Sequence, residues 1–114
     1  MCVNILHVKT LKMAECCAVT EAPLSRKDAE KLATAFKAVA DPARLRLLSL
    51  IAAQPDCEAC TCDLTTLLGL TQPTVTHHLR VLTEAGILTS ERRGTWTFYR
   101  IVPSRLADLR RVLS

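Results

Sequence analysis

A mainly α-helical domain with one β-hairpin is the fold that this 114-residue sequence predicts. Three observations support it: apolar residues recur at helical spacing between residues 26 and 85, the pattern changes to that of strands after Gly86, and Pro103 then opens a further helix. The apolar fraction of 49% is enough for one core in a chain of this length. One compact domain is therefore expected over residues 26–114.

The first two helices are predicted from their caps. Residues 1–25 lack a strong period and contain Pro23, so we interpret them as an arm that precedes the domain. Ser25 is suited to cap a helix that runs to about Val39. Asp41, followed by proline at the first helical position, predicts a second helix. The apolar residues of this second helix lie on most of its sides, which indicates burial: Leu45, Leu47, Leu48, Leu50 and Ile51.

Two further helices follow, separated by a turn of about three residues. Asp63 is expected to cap the first, and Gly69 to end it. Thr71 is expected to cap the second, in which a proline is tolerated within the first turn. The buried stripes consist of Leu64, Leu67 and Leu68 in the first helix and of Val75, Leu79 and Leu82 in the second. This pair predicts a helix-turn-helix.

A hairpin and a last helix are predicted after Gly86. Residues 87–92 and 95–101 are rich in β-branched and aromatic residues, with Arg93-Gly94 expected at the turn. Trp96 and Tyr99 are interpreted as packing residues of this hairpin. The last helix is expected to carry its apolar side on Leu106, Leu109 and Leu113. The order of these elements is that of a winged helix-turn-helix domain.

The net charge of +4 is unevenly distributed. Residues 1–70 carry eight basic and eight acidic residues, whereas residues 71–114 carry seven arginines and three acidic residues. A basic half beside a neutral half favours a polyanion partner, although an ordinary solvated surface stays open as the alternative. The sequence shows neither a secretory signal nor a membrane span, so a cytoplasmic location, reduced thiols and no membrane role are expected.

The predicted DNA contacts follow from what a recognition helix needs. Its N-terminal end must present small or hydrogen-bonding side chains to the major groove, and a cationic hairpin tip can reach the DNA backbone or minor groove. Adjacent helical positions point about 100° apart, so one of His77 and His78 is expected to face DNA and the other the core. The contact residues are expected to be Gln72, Thr74, Thr76, His77 and Arg80 in the helix and Arg92, Arg93, Gly94 and Thr95 in the hairpin.

Five of the six cysteines are clustered, at 16–17 and at 57–62. Thiolates select soft ions: trivalent arsenic or antimony accepts three sulfurs, and cadmium, lead or zinc three or four. Cys60 and Cys62 can share one ion only if they lie at or before a helix start, because residues two apart in a helix point in nearly opposite directions. Cys16 and Cys17 need a bent backbone to cooperate. Ordinary buried thiols remain the alternative for any single cysteine.

The segments DPARLRLL, TCDLTTLLGLTQPTVTHHLRVLTEAGIL and SERRGTWTFYRIVP resemble the ArsR/SmtB family of metal-sensing bacterial repressors, from about Leu32 onward. The resemblance implies a homodimer built from the first and last helices, an inverted-repeat operator, and repression relieved by a metal or metalloid. AECC at 14–17, the following PLS, and Cys57 resemble one subgroup of arsenical repressors. Cys60-Thr61-Cys62-Asp63-Leu64 resembles a second motif, shared by arsenical repressors and by cadmium and lead sensors.

The function implied is that of a repressor of an arsenical or metal-resistance operon, released from double-stranded operator DNA when As(III) or Sb(III) binds thiolates. The expected ligands are Cys16, Cys17 and Cys57, with Cys60 and Cys62 as a secondary set and Cys2 as a bystander. Two alternatives stay open: a cadmium or lead sensor that uses Cys60 and Cys62 with arm cysteines, and a thiol redox switch. An enzyme is not expected, because the sequence has no glycine-rich phosphate loop and no sign of a substrate cleft. Zinc sensing through the last helix is not expected either, since that helix has one Asp and no His.

Overall fold

A computed structural model describes residues 23–113. Of the predicted arm, only Pro23–Ser25 fall within these residues, and they form neither helix nor strand. The elements are α1 Arg26–Val39, α2 Pro42–Ala52, a 3-10 turn Pro55–Cys57, β1 Glu58–Cys60, α3 Thr61–Leu68, α4 Gln72–Glu84, β2 Leu88–Arg93, β3 Trp96–Ile101 and α5 Pro103–Leu113. The predicted fold, mainly α-helical with a winged helix-turn-helix order, is confirmed.

The first two helices begin at the predicted caps. The Ser25 hydroxyl accepts a hydrogen bond from the amide of Asp28 at 3.1 Å. The Asp41 carboxylate accepts from the amides of Ala43 at 3.0 Å and Arg44 at 3.1 Å. The Arg44 amide is the main cause that lowers the pKa of Asp41, because its hydrogen bond favours the charged carboxylate.

The start of α3 differs from the prediction. Asp63 is not the cap: the helix begins at Thr61, and Cys60 is the N-cap residue, with its Sγ accepting from the amide of Cys62 at 3.2 Å. The chain is extended through Cys60 as strand β1, so the helix begins as soon as the strand ends. Asp63 therefore lies in the first turn. The predicted end at Gly69 is confirmed, with a left-handed φ of 73°.

The sheet contains a strand, β1, that the sequence does not predict. Its order is β1-β3-β2, and both pairings are antiparallel. In the register of β1, Glu58 lies opposite Arg100 and Cys60 opposite Phe98. A three-residue strand is too short to show an alternating pattern, which explains why it was missed.

The hairpin turn is displaced by one residue from the prediction. Arg93 pairs with Trp96, so the turn is Gly94-Thr95 rather than Arg93-Gly94. Gly94 has a φ of 66°, a conformation that glycine adopts without the steric cost of a side chain. The prediction of a hairpin in this position is confirmed.

The core lies between the helices and the end of the sheet at which Leu88 pairs with Ile101. Four residues predicted to pack inward are instead exposed: Leu45 at 54%, Leu67 at 51%, Trp96 at 54% and Leu113 at 73%. Leu67 flanks the inward stripe of α3, and Trp96 lies at the turn end of the hairpin, far along the strand from the core residue Ile101. The fully buried side chains are Leu47, Ile51, Leu64, Val75, Leu79, Leu82, Ile87 and Leu88. None of the helices within residues 23–113 is long and apolar enough to span a membrane.

Candidate DNA-binding surface and thiol segment

Helix α4 buries one side and exposes the other. Val75, Leu79 and Leu82 are fully buried, as predicted, and fix the rotation of the helix on the core. Four of the predicted contact residues, together with Pro73, line one shallow depression on the outer side: Gln72, Thr76, His77 and Arg80. Thr74 lies outside that depression, and its hydroxyl is 2.9 Å from the hydroxyl of Thr71. The outer face of α4 therefore carries the hydrogen-bonding groups that a major-groove reader needs.

The two adjacent histidines occupy different environments. His77 is exposed, and the half-buried His78 places Nδ1 3.2 Å from Nη1 of Arg44. Arg44 also donates through Nε to the carbonyl of Ala38, so it joins α4 to α2 and to the end of α1. His78 thus faces the body of the domain, while His77 stays available at the surface.

The wing, defined as residues 88–101, holds one arginine tightly. The guanidinium of Arg93 donates from Nη1 and Nη2 to the two carboxylate oxygens of Glu58, at 2.8 and 2.6 Å, and from Nε and Nη2 to Oε1 of Glu91, at 2.9 and 2.6 Å. It lies over the ring of Phe98, 4.6 Å from the centroid. Within residues 23–113, Arg92 forms no such pair, so it is the freer cation of the wing tip.

Glu58 is the acidic centre of this network. Its side chain is only 15% exposed, and its Oε2 also accepts from Nη2 of Arg100 at 3.2 Å. The hydrogen bonds from Arg93 are the main cause that lowers the pKa of Glu58, because they favour its carboxylate. The same contacts raise the pKa of Arg93. Sequence analysis did not single out Glu58, since its partners depend on the register of the short β1 strand.

Three cysteines lie in what we call the thiol segment, residues 57–62. Cys57 and Cys60 are buried, at 2% and 5% exposure, whereas Cys62 is exposed. Cys60 and Cys62 are joined by a disulfide, and Cys57 is not a free thiol either. The expectation of reduced thiols is thus not met by this pair. The predicted condition for sharing an ion, that both cysteines lie at or before the helix start, is not met: Cys60 is the extended N-cap residue, but Cys62 is the second residue of α3. Their sulfurs still meet, because only Cys62 lies within the helix.

The ligand atoms of Cys60, Cys62 and Asp63 lie within 4.8 Å of one another. Among residues 23–113, Cys57 does not belong to this group, and Asp63 is a member that sequence analysis assigned only a capping role. Cys16 and Cys17, the other predicted ligands, lie outside the described residues. The structure therefore brings together the secondary ligand pair and leaves the predicted set of Cys16, Cys17 and Cys57 a prediction.

An exposed polar helix in a helix-turn-helix, followed by a basic β-hairpin, defines a winged helix-turn-helix DNA-binding domain. Residues 41–90 match the family described as bacterial regulatory protein, arsR family. The arsenical resistance operon repressor of Bacillus subtilis is 36% identical over 80 residues, covering 70% of each chain. The chain therefore belongs to the ArsR family of DNA-binding transcriptional regulators, which confirms the predicted resemblance and the prediction that it is not an enzyme.

Two solved structures are similar over most of the chain. The crystal structure of the antimony-specific transcriptional repressor AntR has a TM-score of 0.66 and 30% identity, and covers 90% of this chain and 89% of its own. The solution structure of a homodimeric winged helix-turn-helix domain, from a possible ArsR-family regulator of Mycobacterium bovis, has a TM-score of 0.63 and 30% identity. It covers 77% of this chain and 82% of its own.

Proposed function

We propose that this chain is a cytoplasmic repressor that binds operator DNA as a homodimer and is released when trivalent arsenic or antimony binds its cysteine thiolates. The observation that carries the proposal is the position of the thiol segment. It follows α2 and includes the first two residues of α3, the first helix of the helix-turn-helix. A soft ion captured there acts directly on the helix that precedes the recognition helix α4. The relatives described as arsenical or antimony repressors support this class of ion.

The first proposed ligand set is Cys16, Cys17 and Cys57. Three thiolates complete the coordination of trivalent arsenic or antimony, and Cys57 supplies a buried sulfur at the start of the thiol segment. Cys16 and Cys17 are proposed from the sequence alone, in which AECC at 14–17 resembles one subgroup of arsenical repressors.

Cys60 and Cys62 form the competing ligand set. Their sulfurs are close enough to bond to each other, so after reduction both can reach one ion, with the Asp63 carboxylate beside them. Two thiolates leave a vacancy that an arm cysteine or a carboxylate would fill, which is the coordination that cadmium or lead accepts as well. This set therefore also serves the cadmium and lead alternative.

Release would follow from geometry. Two recognition helices in a homodimer must reach half-sites one DNA turn, about 34–36 Å, apart. An ion that ties the arm to the thiol segment favours an orientation of α3 and α4 that no longer suits this spacing. The coupling free energy between two sites is typically about 1–3 kcal/mol. The factor by which the bound ion lowers DNA affinity must equal the factor by which bound DNA lowers ion affinity.

Replacement of single cysteines by serine tests the ligand sets. DNA selected by the reduced protein from a random-sequence library serves as the operator, and arsenite-induced release is measured by fluorescence anisotropy in a phosphine reductant. Loss of release at Cys16, Cys17 and Cys57 would support the first set, and loss at Cys60 and Cys62 the competing set. Cys2→Ser is the matched control and is expected to release normally. Because one set could respond when a cysteine of the other is replaced, a variant in which all five cysteines are serine is measured as well. Normal release by that variant would exclude thiolate sensing.

A thiol redox switch is the second candidate, and the disulfide between Cys60 and Cys62 favours it. Such a switch predicts release by peroxide in the absence of any metalloid, with recovery after reduction. Release by arsenite at constant reducing conditions, together with insensitivity to peroxide, would exclude it.

A further inference from the structure

We propose that Glu58 is a positioning residue that couples the thiol segment to the wing, so that ion capture by the neighbouring cysteines changes how the wing presents its arginines to DNA. The proposal rests on the proposed function, since it assumes that an ion binds within or beside residues 57–62. It applies to either ligand set, because Glu58 follows Cys57 directly and precedes Cys60 by two residues.

Two arginines of the wing are already bound to carboxylates. Arg93 uses Nε, Nη1 and Nη2 on two carboxylates, so little of its guanidinium is left for a phosphate. Arg100 gives Nη2 to the same Glu58. One carboxylate thus binds a cation from each wing strand and holds the wing against strand β1. Displacement of that carboxylate by a bound ion is expected to lower DNA affinity by changing the orientation of the wing.

Glu58 holds Arg93 in a bidentate ion pair. Exposed ion pairs usually contribute little, but a bidentate pair inside a network is the stronger class. Glu58 and Arg93 form such a pair, with the carboxylate 15% exposed and the guanidinium lying on the Phe98 ring. Bidentate geometry is also sensitive to displacement, since both oxygens must stay in line with the two nitrogens.

Strand β1 links the cysteines of the thiol segment to the wing. Cys60 lies opposite Phe98 in the β1–β3 pairing, and Arg93 lies over the ring of that same Phe98. Glu58 lies opposite Arg100 in the register. An ion that draws the sulfur of Cys57 or Cys60 toward a new position therefore moves a strand that contacts the wing through both its backbone and its carboxylate. Glu58 is the one acidic residue of the thiol segment, residues 57–62.

The chain supplies its own reporter for this coupling. Trp96 is the single tryptophan, lies opposite Arg93 across the hairpin, and is 54% exposed. Its emission therefore reports the environment of the wing tip without DNA or an attached dye. Arsenite is the probe, in a phosphine reductant, and the bound arsenic is counted independently by native mass spectrometry.

The decisive variant is Glu58→Gln, which keeps the size of the side chain and removes its charge. In the wild type, arsenite is expected to change the Trp96 emission and to lower DNA affinity by roughly 5- to 150-fold, the range typical of one coupled pair of sites. In Glu58→Gln, the same amount of arsenic should bind, but the change in Trp96 emission should be lost. The arsenite-induced fold-change in DNA affinity should fall toward about one. Freed arginines should also steepen the salt dependence of DNA binding by about 1 per added phosphate contact.

Glu91→Gln is the matched control. Glu91 also contacts Arg93 but lies within the wing, so its loss leaves the link between the thiol segment and the wing intact. This variant is expected to keep both the emission change and the arsenite-induced loss of DNA affinity. Thermal unfolding of both variants separates a loss of coupling from a loss of fold.

Four outcomes would overturn the proposal. Glu58→Gln could keep the full response, Glu91→Gln could lose as much as Glu58→Gln, or Glu58→Gln could fail to bind arsenic, which would place Glu58 in the ion site itself. In the fourth, the wild type would bind arsenic and be released from DNA, but the Trp96 emission would not change. That result would exclude coupling through Glu58 and leave the proposed function standing. Absence of arsenic binding by reduced wild type is the distinct result that removes the proposed function and the coupling together.

Discussion

Substitutions at Cys60, the N-cap residue of α3, can distinguish a structural role of this cysteine from a role as an ion ligand. Cys60 has an extended backbone, with φ −90° and ψ 152°, is 5% exposed, and accepts the amide hydrogen of Cys62 at 3.2 Å. Cys60→Ala removes this acceptor, whereas Cys60→Ser replaces it with a hydroxyl, one of the preferred N-cap groups. Neither variant has a thiol at position 60, so the two differ in capping but not in ion binding.

The magnitude follows from the cap. Loss of an N-cap hydrogen bond costs about 1 kcal/mol of the free energy of unfolding, within a range of about 0.5–2 kcal/mol. For a domain of this size, 1 kcal/mol corresponds to a Tm change of about 4–8 °C. Cys60→Ala is therefore expected to unfold about 4–8 °C below Cys60→Ser, because only the serine still binds the Cys62 amide.

Far-UV circular dichroism in a phosphine reductant measures the two Tm values without a disulfide in either variant. Equal Tm values would refute the capping role. Arsenite-induced release from DNA is then compared in the same two proteins. If Cys60 is a ligand, both variants lose release despite their different stabilities; if it is only a cap, both keep it.

Three further predictions concern the reading surface and the core. Arg80→Ala should weaken DNA binding by about 1–3 kcal/mol if it reads a base, or lower the salt slope by about 1 if it binds a phosphate, and unchanged binding in a salt titration would remove it from the interface. Gly86→Ala should destabilise the domain by about 1–3 kcal/mol, since φ is +81° and a Cβ would lie 3.1 Å from a guanidinium of α5. Gly69→Ala, with φ +73° but open space around it, should destabilise less in urea unfolding. Leu79→Ala should cost about 2–5 kcal/mol because Leu79 is fully buried, while the exposed Leu67→Ala should stay within about 0.5 kcal/mol, and equal values in the same unfolding assay would contradict the packing.

The helices could be predicted because their signals are local. Ser25 and Asp41 act as caps, and Gly69 and Gly86 have the positive φ that ends a helix. After α4, the amides of Gly86 and Ile87 donate back to the carbonyls of Thr83 and Leu82, which closes the helix as the glycine signal indicates. Each signal lies within a few residues of its effect, so one sequence is enough to read it.

The thiol segment was harder to predict because its structure depends on distant residues. Strand β1 pairs with β3, about forty residues later in the chain, and the N-cap of α3 is Cys60, where β1 ends, rather than the predicted Asp63. The contacts of Glu58 with Arg93 and Arg100 follow from the same register. The sequence shows that the cysteines cluster, but which sulfurs converge depends on this strand.

The central claim is that a soft ion bound by reduced thiolates weakens the hold of this protein on DNA. Its most direct test is the DNA affinity of the reduced protein with and without saturating arsenite, with bound arsenic counted in the same samples. The account predicts a fall of roughly 5- to 150-fold, matched by an equal fall in arsenite affinity when DNA is bound. Unchanged DNA affinity in protein that carries bound arsenic would contradict it.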